Sequence, residues 1–169
     1  MSFKSRAPLM LTLAVLVLLP FAAAILGAQA PPTKRIDPCA LLTKAEIQGV
    51  LGKPVQDGKP AANANPAVGS PCQYVVGDFG AFSILVKATG PGETPDAVQA
   101  GLKRSNIKTA DAPGIGDRSF FSFPGYGMVQ LNTFKGSQYV IMTLMVPGLT
   151  EDAQKAPAEK LMKMVLPKL

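Results

Sequence analysis

Apolar and polar positions along this chain change period several times, and each change marks an element. Ile47, Val50 and Leu51 recur at helical spacing behind Thr43-Lys44-Ala45-Glu46, a capping box. In such a box the Thr43 hydroxyl accepts from the backbone N–H of Glu46, and the Glu46 carboxylate accepts from the N–H of Thr43. Leu42 and Ile47 suit the hydrophobic staple, and Gly52 and Pro54 stop the helix, which is predicted over residues 44–51. From Lys53 to Pro71 the residues are Pro, Gly, Ala and Asn without apolar period, which reads as a long loop. Strands are predicted over 73–76 and 81–88, joined by the hairpin turn Gly77-Asp78-Phe79-Gly80, with Phe82, Ile84 and Val86 on one face.

Thr94-Pro95-Asp96 opens a second helix, with Val98 and Leu102 as its apolar pair. After a glycine turn at 114–116, strands are predicted over 118–123, 127–135 and 138–146, the last two joined at Lys135-Gly136-Ser137. In the last of these both alternating sets are apolar, so it should be central and covered on both sides. Ala158, Leu161, Met162, Val165 and Leu169 lie on one face of a C-terminal helix whose first turn would hold Pro157. The order α-β-β-α-β-β-β-α predicts one α+β domain over residues 37–169, an antiparallel sheet of about five strands with three helices packed on it.

Ahead of that domain, Lys4 and Arg6 precede an almost unbroken apolar run from Leu9 to Leu26, and Gly27-Ala28-Gln29-Ala30 supplies a small-x-small cleavage pattern. Residues 1–30 therefore read as an export signal cut after Ala30, with 31–36 a short linker. Pro20 and the alanine-rich end favour this over the alternative, an uncleaved N-terminal membrane anchor. A lipoprotein signal is disfavoured, because no Cys follows the apolar stretch directly. Export makes the protein periplasmic or secreted, and membrane association is expected only if the leader stays. Cleavage removes two positive charges from a net +6, leaving +4, a mild balance that says little about partners. Lys103, Arg104 and Lys108, and Lys155, Lys160, Lys163 and Lys168, read as solvated faces. No basic and aromatic array of the kind that binds nucleic acid is present.

Both cysteines fall after the leader, and an even pair in an exported chain points to a Cys39–Cys72 disulfide. A redox pair would favour C-x-x-C spacing, which is absent. The segment Asp37-Pro38-Cys39-Ala40-Leu41-Leu42-Thr43-Lys44-Ala45-Glu46, the later Cys72-Gln73-Tyr74, and Gly114-Ile115-Gly116-Asp117 before an aromatic strand resemble a group of small exported bacterial domains of unknown function. Many of these are lipoproteins and some have the fold of PsbP-like photosystem accessory proteins. The resemblance implies an envelope location and that fold. The missing lipid-attachment Cys sets this chain apart from the lipoprotein members.

Composition narrows the chemistry. With no His there is no imidazole base and no His-ligated metal or haem, which removes the commonest hydrolase and metalloenzyme designs. Gly114-Ile115-Gly116-Asp117 is half of a dinucleotide fingerprint that lacks its third Gly, precedes a strand and carries a repelling acid, so it reads as a turn. Asp117 and Arg118, adjacent on a strand, should point to opposite faces. The acids Asp37, Glu46, Asp96, Glu151 and Asp152 each suit a cap or a turn. Met128, Met142, Met145, Met162 and Met164 invite a Cu(I) reading but are poorly aligned for it and suit core filling. Tyr74, Phe82, Phe121, Phe123 and Tyr126 could wall an apolar pocket, or simply be core. No cofactor, no metal and no catalytic residue is assigned. The expectation is a non-enzymatic binding or accessory domain of the bacterial cell envelope, whose partner is an unknown protein or envelope component. The alternatives are a carrier or sensor of a small apolar ligand and, third, an enzyme.

Overall fold

The capping box closes as its residues dictate: Glu46 N–H donates to Thr43 Oγ1 at 3.2 Å and Thr43 N–H to Glu46 Oε2 at 2.7 Å. Helix α1 runs Lys44–Leu51 and ends at Gly52, whose φ of 63° is left-handed. A 3-10 turn, Pro38–Ala40, precedes it, with the Asp37 carboxylate accepting from Cys39 N–H. The computed structural model describes residues 35–62 and 69–169. The leader expected over 1–30 and most of the linker lie outside the described residues.

The strands are β1 (Lys59–Pro60), β2 (Cys72–Val76), β3 (Gly80–Ala88), β4 (Lys108–Asp111), β5 (Arg118–Gly125), β6 (Met128–Lys135) and β7 (Gln138–Met145). They form one antiparallel sheet in the order β1-β2-β3-β7-β6-β5-β4. The α+β class and the three helices stand, but the sheet has seven strands rather than about five. Both additional strands are polar edges. β1 is two residues inside the segment expected to be loop, where Pro60 is tolerated because an edge strand need not donate on its outer side. β4 is Lys-Thr-Ala-Asp, short and charged as edges that resist further pairing are.

Helix α2 (Pro95–Arg104) starts at Thr94, whose hydroxyl accepts from Ala97 N–H. Helix α3 runs Glu151–Val165, capped by Thr150, and passes into a 3-10 turn at Leu166–Lys168. It begins earlier than the sequence reading placed it, so Pro157 sits in the helix interior and not in its first turn. The cap and the acids Glu151 and Asp152 at the positive end of the dipole outweigh one missing N–H.

Alternation divides the sheet into two faces. The first carries Tyr74, Phe82, Ile84, Leu131, Phe121, Val140, Met142 and Leu144 and is sealed by Ile47 and Leu51 of α1 and Ala158, Leu161, Met162 and Val165 of α3. On the second, Val98 and Leu102 of α2 pack against Phe120, Phe134, Tyr139 and Ile141. The centre of the sheet is β7, as expected, yet its two sides differ: Val140, Met142 and Leu144 are buried, whereas Ile141, Thr143 and Met145 are half-buried.

Covalent and polar ties close the first layer. Cys39 and Cys72 form the disulfide, 33 residues apart in the chain. Tyr74 OH donates to Leu42 O at 2.8 Å, and Lys168 Nζ donates to Leu41 O at 2.6 Å and to Glu46 Oε1 at 3.3 Å. The C-terminus is thus fastened to the segment that enters α1.

Candidate functional site

Helix α2 lies over the β4–β5 side of the second face and reaches as far as Tyr139 and Ile141 of β7. Across the rest of that face the register builds rows running perpendicular to the strands. Val75 pairs with Ala81, Ala81 with Met145, and the Val129–Leu144 pair sets Met128 beside Met145. This apolar row is open, with Val75 41% exposed and both methionines half-buried. The adjoining row is polar: Gln73, Ser83, Thr143, Gln130 and Ser122 follow one another across five strands.

The polar row is wired into the buried part of the face. Tyr139 OH donates to Asn132 Oδ1 at 2.6 Å and Asn132 Nδ2 to Ser122 Oγ at 3.0 Å. Ser122 Oγ then donates to Gln130 Oε1, and Gln130 Nε2 to Thr143 Oγ1, both at 3.2 Å. Burial, with Glu93 adding to it, pushes the Tyr139 hydroxyl far above its usual range, so it stays a donor. Tyr139 also stacks on Phe134 with ring centroids 4.3 Å apart. Every buried side-chain polar atom among the described residues has a partner. A satisfied network of this kind fixes side-chain directions before any ligand arrives.

A cleft of about 380 Å³ opens at the β1–β2 margin of this face, with Gln56, Asp57 and Lys59 on one wall and Gln73, Val75, Ala81 and Ser83 at its base. The wall is placed by Gln56 N–H donating to Val75 O and by the Lys44–Asp57 ion pair at 3.0 Å.

At the end of the sheet next to the apolar row, two hairpins carry protruding rings. Phe79, in the β2–β3 turn, is 84% exposed, and Tyr126, in the β5–β6 turn, is 93% exposed. Tyr126 and Gly127 both have positive φ, 56° and 71°. That pairing is the mark of a two-residue I′ turn, in which the first position favours Asn, Asp or Gly.

The aromatic residues named as a possible pocket separate into three places. Tyr74 and Phe82 pack with centroids 5.5 Å apart in the first-face core. Phe121 and Phe123, 6.5 Å apart, lie toward the opposite edge of the same core, and Tyr126 is on its hairpin tip. Lys155 and Lys108 lie over the Phe123 ring at 5.2 and 5.5 Å. Met142 is in the core and Met145 on the open face. Cys39 and Cys72 form the bridge, and Thr43 and Glu46 the cap.

The glycine turn has a packing reason. Gly116 has φ +60°, and a Cβ there would lie 2.6 Å from Phe134 O. Asp117 accepts from Gly136 N–H at 2.7 Å and pairs with Lys135, which together hold its carboxyl below the usual range. Arg118 points elsewhere, to Asp111 at 3.2 Å and Asp96 at 3.9 Å. These two carboxylates converge on one guanidinium, with Gln99 bonded to Asp111, and the cluster pins α2 to β4 and β5. Among the described residues no three His, Cys, Asp or Glu side chains group closely enough to hold a metal ion, and no helix is long and apolar enough to cross a membrane.

Two features escape a reading of residue types. One is the pair of rows, whose members come from separate strands. The other is Gln154, whose buried position was signalled by its spacing from Ala158 and Leu161 on the inward face of α3.

Comparison with protein-family models, curated proteins and solved structures finds no match to the chain.

Proposed function

We propose that this is an exported, non-enzymatic binding domain of the cell envelope, engaging a protein or envelope component through the open half of its second sheet face. The observation that carries this reading is the exposed row Val75–Ala81–Met145–Met128 beside a self-satisfied polar row. An apolar strip rimmed by ordered polar groups suits an interface, and unbranched methionines adapt to irregular partners. The apolar leader read in the sequence and the likeness of the Asp37–Glu46 segment to small exported domains support the location. The cleft favours a second reading as a small-ligand site, since its volume of about 380 Å³ is in the range of such pockets.

The test compares the wild type with a Ser83→Arg/Thr143→Arg double variant, both recovered from their own host after in-cell cross-linking. Companions held by wild type and lost from the variant, at unchanged folding, are the expected result. The same companions on both proteins would refute the face as the site. A retained small molecule without protein companions would favour the ligand reading.

A further inference from the structure

The sheet end that bears Phe79 and Tyr126 has features the open face alone does not need. The register places both tips at that end: Val76 pairs with Gly80, Ala81 with Met145, Leu144 with Val129, and Gly125 with Met128. Three strand spacings separate the two hairpins, or about 14 Å. Each ring stands almost wholly in solvent, although burying such a ring is strongly favourable.

Both tips are held rigidly. Gly77 N–H donates to Pro54 O at 2.8 Å, and Gly80 is seated so closely on Pro147 that a Cβ would lie 2.5 Å from it. On the other hairpin, the fully buried Gln154 donates from Nε2 to Gly127 O at 2.9 Å and accepts from Val146 N–H at 3.0 Å. Tyr126 also occupies a left-handed conformation that a bulky residue adopts at a cost. A strained, exposed aromatic on a braced turn is a pre-organised contact.

We propose that this end of the sheet seats on a lipid surface, with Phe79 and Tyr126 inserted at the headgroup level. The reading rests on the envelope location proposed above. Two isolated rings on hairpins about 14 Å apart would need two matching pockets in a protein. A fluid interface accepts rings wherever they fall, and amphipathic aromatics prefer that depth. Around the Tyr126 hairpin, Lys108 and Lys155 lie over the Phe123 ring and Lys155 is paired to Asp152 at 2.6 Å, while Asp78 lies in the Phe79 turn itself. On this proposal insertion of the two rings carries the binding, and added salt should leave it in place.

The chain has no Trp, so Phe79→Trp and Tyr126→Trp each install a single reporter. Both are mixed with phosphatidylcholine vesicles, with and without phosphatidylglycerol. We expect a blue shift of each reporter, quenching by bromine-labelled acyl chains, and binding that survives high salt. Replacing either ring by Ser should weaken vesicle partitioning by about tenfold or more, at an unchanged thermal midpoint. The ring-to-Ser variants should still cross-link the companions that wild type holds in the host, which separates this surface from the open face. Unshifted reporters, or no binding to either vesicle, would overturn the proposal. Protein adducts formed at positions 79 and 126 in the host without vesicle binding would overturn it in favour of a protein partner.

Discussion

Gln154 and Gly127 are joined by a hydrogen bond of 2.9 Å that ties the base of an exposed hairpin to the buried face of α3. The same side chain accepts from Val146 N–H, so one glutamine organises the β5–β6 turn and the exit from β7. Replacing it by Leu would leave a buried N–H and a carbonyl without partners. We expect Gln154→Leu to destabilise by about 1–3 kcal/mol in denaturant unfolding. Amide exchange should rise at Val146, from whose N–H the glutamine accepts, ahead of the rest of the sheet; uniform exchange would show that the side chain does not brace this corner.

Tyr126 should show the opposite sign. Asn takes its left-handed φ of 56° with less strain, so Tyr126→Asn should raise stability by about 0.5–1 kcal/mol while weakening lipid binding. A loss of stability would mean that the ring makes native contacts its exposure does not suggest.

Two glycines make a paired prediction. A methyl at Gly116 meets Phe134 O and an unfavourable φ, so Gly116→Ala should cost well over about 1 kcal/mol. Gly49 lies inside α1 with open space where its Cβ would be, and Gly49→Ala should stabilise by about 0.5–1 kcal/mol. Thermal melts of both read the signs directly, and equal shifts would remove the packing reason for the Gly114–Gly116 turn.

The disulfide joins cysteines 33 residues apart in the chain. In the loop-entropy picture its removal costs about 3–4 kcal/mol. Cys39→Ser/Cys72→Ser should lower the thermal midpoint by several degrees under oxidising conditions, while wild type in reductant should approach the same value. A midpoint unmoved in both would show that the bridge adds little to the native state.

Acid should loosen the cap and the β6–β7 corner. The Thr43 N–H and hydroxyl, aided by Lys168, hold Glu46 below its ordinary 4.5, and Gly136 N–H with Lys135 holds Asp117 below 3.8. Depressed carboxyls stabilise fully above their unfolded values, and that stabilisation fades as pH falls through the folded ones. The midpoint should therefore hold near pH 6 and decline below about pH 4.5, and Glu46→Gln/Asp117→Asn should flatten the decline. Parallel curves for the variant and wild type would assign the acid sensitivity to other groups.

The central strands, the three helices and the bridge were legible because each leaves a local mark: alternation at Phe82, Ile84 and Val86, the Thr43–Glu46 box, an even cysteine pair. The edges were not. β4 is Lys-Thr-Ala-Asp and β1 is Lys-Pro, and residues that deter edge pairing also erase the strand signal. The start of α3 was obscured by Pro157, although Thr150 and its acids marked the cap. The rows of the open face depend on β7 entering between β3 and β6, a non-local pairing that no window of residues displays. Of the five aromatics grouped as a pocket or as core, Tyr74, Phe82, Phe121 and Phe123 lie in the core of the first face and Tyr126 on a hairpin tip.

A photoreactive side chain installed at Ser83 in the living host, with Lys163 on the outer side of α3 as the control position, would probe the open face directly. We expect a discrete adduct from position 83 and none from position 163. Equal labelling at both positions, or none at either under conditions where the protein is folded and exported, would contradict the assignment of that face as the binding surface.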